Sequence, residues 1–213
     1  MPQRIGHRVR LVKRTVKGSG MQRTTNGTAP KERVILGIDP GTSVMGYGIL
    51  LEQGMRCTLL EAGAIRFPRG DDHTLKLRAI FASTTELIRK HHPDELAIEA
   101  QFFGKNVQSM LKLGRAQGVA IAAALQRELA VVEYAPKRIK QSITGNGNAT
   151  KEQVAGMLLS ILGVKELPDS TDATDAVAVA VCHHFAASGK GLPSGGRGKG
   201  WASFVRNNPD RLR

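Results

Sequence analysis

The sequence predicts an α/β fold, a mixed five-stranded sheet with helices on both faces. Three observations point there. The segments read in the order β-β-β-α-β-α-β-α-α-α, a meander of strands followed by two strands reached through helical crossovers, which mixes antiparallel and parallel pairs in one sheet. The run Val34, Ile35, Leu36, Gly37, Ile38 lacks polar alternation, as a strand covered on both faces does. Residues 171–187 are apolar nearly all round, with Ala176, Val177, Val179, Ala180, Val181 and Phe185, so that helix has to lie against the core.

Taken in order, residues 1–32 show no hydrophobic periodicity and read as a flexible basic arm. Met21 within it is a candidate start, which the intact mass of natively expressed protein tests. The folded domain spans 33–187. Its first strand, 33–39, ends in Asp39, and Pro40-Gly41 turns the chain, proline presetting φ and glycine accepting a positive φ. The second strand, 44–51, contains Gly46 and Gly48; glycine inside a strand marks a bulge or a close backbone approach. The third, 56–66, completes the meander before Pro68 and Gly70 break it. Residues 72–91 form a helix with Leu77, Ile80, Phe81, Thr84, Leu87 and Ile88 on one face, capped by Asp71 or Asp72 and stopped by Pro93. A short strand, 95–99, ends in Glu99. The long helix 105–128 carries one stripe of Val107, Met110, Leu111, Gly114, Gly118, Ile121 and Leu125, suited to a sheet or to a second subunit. The fifth strand is 130–134, and Pro136 opens a short helix ahead of a Gly-Asn loop, 145–148. Thr150 to Gln153 has the form of a capping box, followed by a helix burying Val154, Met157, Leu158, Ile161 and Leu162 and ended by Gly163. After the last helix, residues 188–213 form a Gly-rich basic tail with Trp201 and Phe204.

The net charge of +13 points to nucleic acid, but its distribution matters more. Residues 1–33 carry a net +8, residues 188–213 a net +5, and residues 34–187 hold sixteen charges of each sign. The tails alone can raise DNA affinity through counterion release, and they can equally be solubilising extensions. Cys57 and Cys182 lie far apart without metal spacing, so the chain is no disulfide framework and a reducing cytoplasm is expected. No apolar run is long enough to span a membrane, and the basic N-terminus lacks the apolar stretch of a secretory signal.

The chemistry lies in four acids. Asp39 ends the first strand and Glu99 the fourth; where those strands run parallel and adjacent, both acids emerge at one end of the sheet. Asp172 and Asp175 open the last helix with i, i+3 spacing, on one side of its first turn. Singly, each has a plain explanation: an Asp at a strand end makes turns, and acids at a helix start complement its positive end. Together, four carboxylates at one sheet end repel unless cations hold them, and hard oxygen donors suit Mg²⁺ or Mn²⁺. Two such ions activate water and stabilise the leaving oxygen in phosphodiester hydrolysis. A focused acidic pocket in a neutral core with basic edges fits a nuclease.

Four segments, ILGIDPGTSVMGYGI, LAIEAQFFGKNVQSMLKLGRAQGVA, VVEYAPKRIKQSITGNGNATKEQV and TDATDAVAVAVCHH, resemble the bacterial RuvC Holliday-junction resolvases, crossover junction endodeoxyribonucleases of ribonuclease-H-like fold. The resemblance covers residues 34–186. It implies that Asp39, Glu99, Asp172 and Asp175 are the catalytic acids, holding two Mg²⁺ per site with Mn²⁺ able to substitute. It implies a cytoplasmic homodimer in DNA recombination and repair that nicks a four-way DNA junction symmetrically, leaves 5′-phosphate and 3′-hydroxyl ends and works with the RuvA–RuvB branch-migration complex. Phe102 matches the aromatic that stacks on junction bases, and Phe103 could share that role; such stacking is worth about 1–3 kcal/mol per base. Lys140 and Lys151 match lysines close to the DNA, and Lys105 and Lys112 are candidate phosphate contacts, a solvated basic face being the alternative. The chain departs from the family's usual IEQVF with Ala100 and Gln101, which keeps the spacing of acid and aromatic but alters the surroundings of Glu99. His183 and His184 lie two turns past Asp175 and are not expected to ligate a metal.

Three other readings compete. Another ribonuclease-H-like nuclease is disfavoured by residues 102–118 and 137–151, which match the resolvases. The IDPGT turn also resembles the phosphate loop of actin-like sugar kinases, but those need a second, duplicated domain. A junction-binding protein without catalysis is disfavoured by the presence of all four acids.

Overall fold

A computed structural model of the chain describes residues 9–10, 32–68, 70, 72–101 and 106–187. In chain order the strands are β1 (Val9–Arg10), β2 (Glu32–Asp39), β3 (Val44–Gln53), β4 (Arg56–Arg66), β5 (Glu95–Glu99) and β6 (Ala130–Tyr134). The helices are α1 (His73–His91), α2 (Val107–Leu125), α3 (Pro136–Thr144), α4 (Lys151–Leu162) and α5 (Thr171–Ala187). They form one mixed sheet in the order β1-β4-β3-β2-β5-β6. The meander β2-β3-β4 is antiparallel, while β2, β5 and β6 run parallel, joined through helices as such pairs must be.

Five strands are those the sequence predicts; the sixth is the two-residue β1. It pairs antiparallel with Ala62 and Glu61 at the outer edge of β4, inside the segment read as a flexible arm. Two residues are too few to show a period, whereas the open edge of β4 offers unpaired backbone groups to whatever chain is near.

The sheet is covered on both faces because successive side chains of a strand alternate. Leu36, Ile38, Leu96 and Ile98 pack with Ile80, Leu87 and Ile88 of α1 and Ala116, Ala120 and Ala124 of α2. Ile35 and Ala97 face the other way, into a cluster with Ile139 and Ile143 of α3, Leu158 of α4 and Val177, Val181 of α5. The capping box forms: Gln153 N–H donates to the Thr150 hydroxyl at 3.3 Å, and the Gln153 side chain is 3.0 Å from the Thr150 N–H. Asp72 does stand at the N-cap of α1, but its side chain makes no capping hydrogen bond.

In α2 the buried face is not the predicted stripe. Ala116, Gln117, Ala120, Ala123 and Ala124 face the core, while Val107, Leu111 and Leu125 are exposed and the space beside Gly114 and Gly118 is open. Of the predicted stripe, Ile121 packs partly against the core, as does Val119, while alanines fill most of the inward face.

Candidate active site

Register alone brings the acids together. Asp39 follows Ile38, and Glu99 follows Ile98, its register partner on the parallel neighbour β5. Both acids therefore leave the sheet at the same end. By alternation Asp39 lies on the face of Ile35 and Gly37, and Glu99 on the face of Ala97, which is the face that α5 covers.

The first turn of α5 is seated by glycine. Gly46 is the register partner of Asp39, and a Cβ there would collide with the carbonyl oxygen of Asp172. A Cβ at Gly37 would collide with the carbonyl oxygen of Ala176 one turn on. The missing side chains let the helix backbone rest on the strands, so Asp172 and Asp175 arrive beside Asp39. Ser170 adds a hydroxyl that donates to Asp172 Oδ2 at 3.2 Å.

Burial and neighbouring acids together act on Asp39 and Glu99. Burial pushes the Asp39 carboxyl up to about 8, and Glu99, Asp175 and Asp172 push the same way. Glu99 is pushed up to about 7, by burial first and Asp175 second, with Lys151 and Lys140 opposing. Lys151 is the first residue of α4, and its Nζ donates to Asp175 Oδ2 at 2.6 Å. Among the described residues, no three carboxylate, imidazole or thiol groups are drawn together as a finished ion cage; the Lys151 ammonium is on Asp175 instead. The donors themselves are all oxygens short of positive charge, a set suited to a hard divalent cation.

A cavity of about 290 Å³ opens over three of the acids, lined by Asp39, Glu99, Asp175, Lys140 and Lys151 with Pro136, Ile139, Val154 and Ala178, whereas Asp172 does not line it. A second, of about 200 Å³, shares Lys151 and Asp175 with it and is lined also by Glu152, Ala155, Asp169, Thr171 and Thr174. Lys112 is exposed on α2 and does not line either one. Phe102, Phe103 and Lys105 lie outside the described residues. Ala100 donates its N–H to the Tyr134 carbonyl at 2.9 Å, so the position that departs from the usual motif is tied through its backbone. His183 and His184 are at the far end of α5, on Glu95 and Glu52. Sequence reading missed Ser170, although a Ser just before a helix is itself a capping signal, and it missed the apolar walls Pro136 and Ile139, which carry no chemical signature.

The family model for crossover junction endodeoxyribonuclease RuvC matches residues 35–183. The chain belongs to the RuvC family. A RuvC from Porphyromonas gingivalis is 57% identical over 189 residues, covering 87% of this chain and 100% of the relative. One from Cytophaga hutchinsonii is 55% identical over 190 residues, covering 88% and 93%. Among solved structures, Thermus thermophilus RuvC in complex with a Holliday junction substrate superposes with a TM-score of 0.69 at 32% identity, covering 73% of this chain and 95% of that one. The fold is thus the ribonuclease-H-like fold of RuvC, with the four acids inside the matched span.

Proposed function

We propose that this chain is a crossover junction endodeoxyribonuclease that resolves four-way DNA junctions by paired, symmetrical nicks in recombination and repair. The observation that carries this reading is the convergence of Asp39, Glu99 and the first turn of α5 at one end of a sheet in a RuvC-family chain. Metal dependence belongs to the family; for this chain we infer two Mg²⁺ per site, replaceable by Mn²⁺, held by Asp39, Glu99, Asp172 and Asp175. When bound, such ions supply Lewis acidity for the attack of water on phosphorus and for the departing 3′ oxygen, which yields 5′-phosphate and 3′-hydroxyl ends.

The chain's own residues do the rest. The carboxylates hold the cations and exclude bare phosphate from the pocket until charge is balanced. Lys140 and Lys151, on the cavity wall, meet the strand's phosphates. Phe102 or Phe103 stacks on an exposed base, and Lys105 and Lys112 contact phosphates. The exposed face of α2, with Val107, Leu111, Leu125 and open space at Gly114 and Gly118, supports a homodimer, which paired nicking requires. The RuvA–RuvB complex is the expected partner in the cell. The free thiols Cys57 and Cys182 suit the cytoplasm, and among the described residues no helix is long and apolar enough to cross a membrane.

The test is cleavage of a mobile four-way junction in Mg²⁺ against a linear duplex of the same sequence, for wild type and Asp39→Asn. Paired nicks in the junction alone, lost in Asp39→Asn with junction binding kept, are the expected result. Tight junction binding without cleavage in either metal would leave a binding protein instead, and equal cleavage of the duplex would make the substrate wrong.

A further inference from the structure

We propose that Lys151 is the resident counter-cation of the acid site, and that a divalent ion has to displace its ammonium group from Asp175 in order to bind. The inference rests on the reading of the four acids as the metal site.

Four features of the structure carry it. The Lys151 Nζ sits 2.6 Å from Asp175 Oδ2, and its charge also reaches Asp39 and Glu99, so one ammonium group offsets several carboxylates at once. Its backbone is anchored, since Lys151 begins α4 directly behind the Thr150–Gln153 capping box. Its side chain is nevertheless 62% exposed, against 28% for Asp175, so it can leave without unpacking anything. Lysine suits this use: it is a point charge on a flexible four-carbon stem. The pair forms a wall shared by both cavities, and the second cavity, with Asp169 on its lining, gives the displaced group room.

A metal and an ammonium group competing for one carboxylate weaken each other. A phosphate arriving in the larger cavity takes up the released ammonium, which removes the competition. Metal and DNA then bind with positive coupling, and by linkage each raises the affinity of the other. A lysine serving only as a phosphate contact would produce coupling without competing for metal in the absence of DNA.

The experiment measures Mn²⁺ binding to the DNA-free protein by calorimetry and by loss of the free-ion EPR signal, for wild type, Lys151→Met, Lys151→Gln and Asp39→Asn. The expected result is about two- to five-fold tighter Mn²⁺ binding in both Lys151 variants, the range an exposed ion pair accounts for. A melting temperature lowered in EDTA but little changed in saturating Mn²⁺ should accompany it. Unchanged or weaker Mn²⁺ binding in both Lys151 variants, with Asp39→Asn impaired, would overturn the counter-cation role and leave the site intact. Unchanged binding in Asp39→Asn would overturn the metal-site reading and the inference together.

Discussion

Asp39 and Glu99 are kept in the folded chain at a cost to its stability, and the cost has a sign. The Asp39 carboxyl sits at about 8 in the fold against an ordinary 3.8, so between those values the native state holds a proton that the unfolded chain has released. Stability of the metal-free protein therefore falls as pH rises from about 4 to about 8, with Glu99 adding to the fall up to about 7. Melting curves in EDTA across that window should show the decline, and Asp39→Asn should flatten it and raise the melting temperature at pH 8. Saturating Mg²⁺ should reverse the decline in wild type and do little for the variant. The residues behind this behaviour were legible in the sequence, because acids at the ends of apolar segments stand out. The lysine on Asp175 was legible only through a family match, since neither periodicity nor spacing says where a flexible side chain ends.

At the level of elements, α5 and the strands beneath it are fitted by absence. Gly46→Ala would drive a methyl into the Asp172 carbonyl, a backbone atom that cannot rotate away. Overpacking of this kind costs about 1–3 kcal/mol or more, and here it also shifts the first turn of α5. Chemical denaturation should show the reduced stability, and junction cleavage should fall far more than junction binding. Gly118→Ala acts oppositely within one protomer: the space there is open and the position is inside a helix, so about 0.5–1 kcal/mol of stability is gained. If α2 meets a second copy along this face, analytical ultracentrifugation should show the same substitution weakening the dimer. The strands and helices themselves were readable to within a few residues, β4, β5, β6 and α5 at their observed bounds, because period and length agree there. The α2 stripe reads as a packing face in either case; which surface it packs on is a tertiary fact, and the small inward alanines gave too weak a contrast to reveal it.

Across the whole molecule, the two ends of the sheet are held by different chemistry. Opposite the acids, Arg33 bridges Glu52 and Glu95 at 2.8 Å each, His183 joins Glu95 to the Tyr134 hydroxyl, and His184 Nδ1 lies 2.6 Å from Glu52. Arg33→Ala would take the shared guanidinium from Glu52 and Glu95 and leave each only its histidine, a loss of roughly 1–2 kcal/mol once their partial exposure is allowed for, measurable by urea denaturation. This clamp was invisible in the sequence, since its members come from four strands and a helix, and only the sheet order brings them into reach. The tails were readable as charge alone. Replacing Lys190, Arg197 and Lys199 by Gln should reduce the salt dependence of junction binding, by up to about 0.9 in log–log slope for each phosphate that is no longer neutralised.

The way α5 rests on Gly37, Gly46 and Gly48 also limits what can be transplanted. An engineer who wishes to move this acid-bearing helix into another sheet must carry the three bare strand positions with it, since any side chain there would lift the graft off its seat. Helix and glycines are one modular part split across the chain, and a chimera whose crossover falls between residues 46 and 171 should join halves drawn from parents whose seats agree.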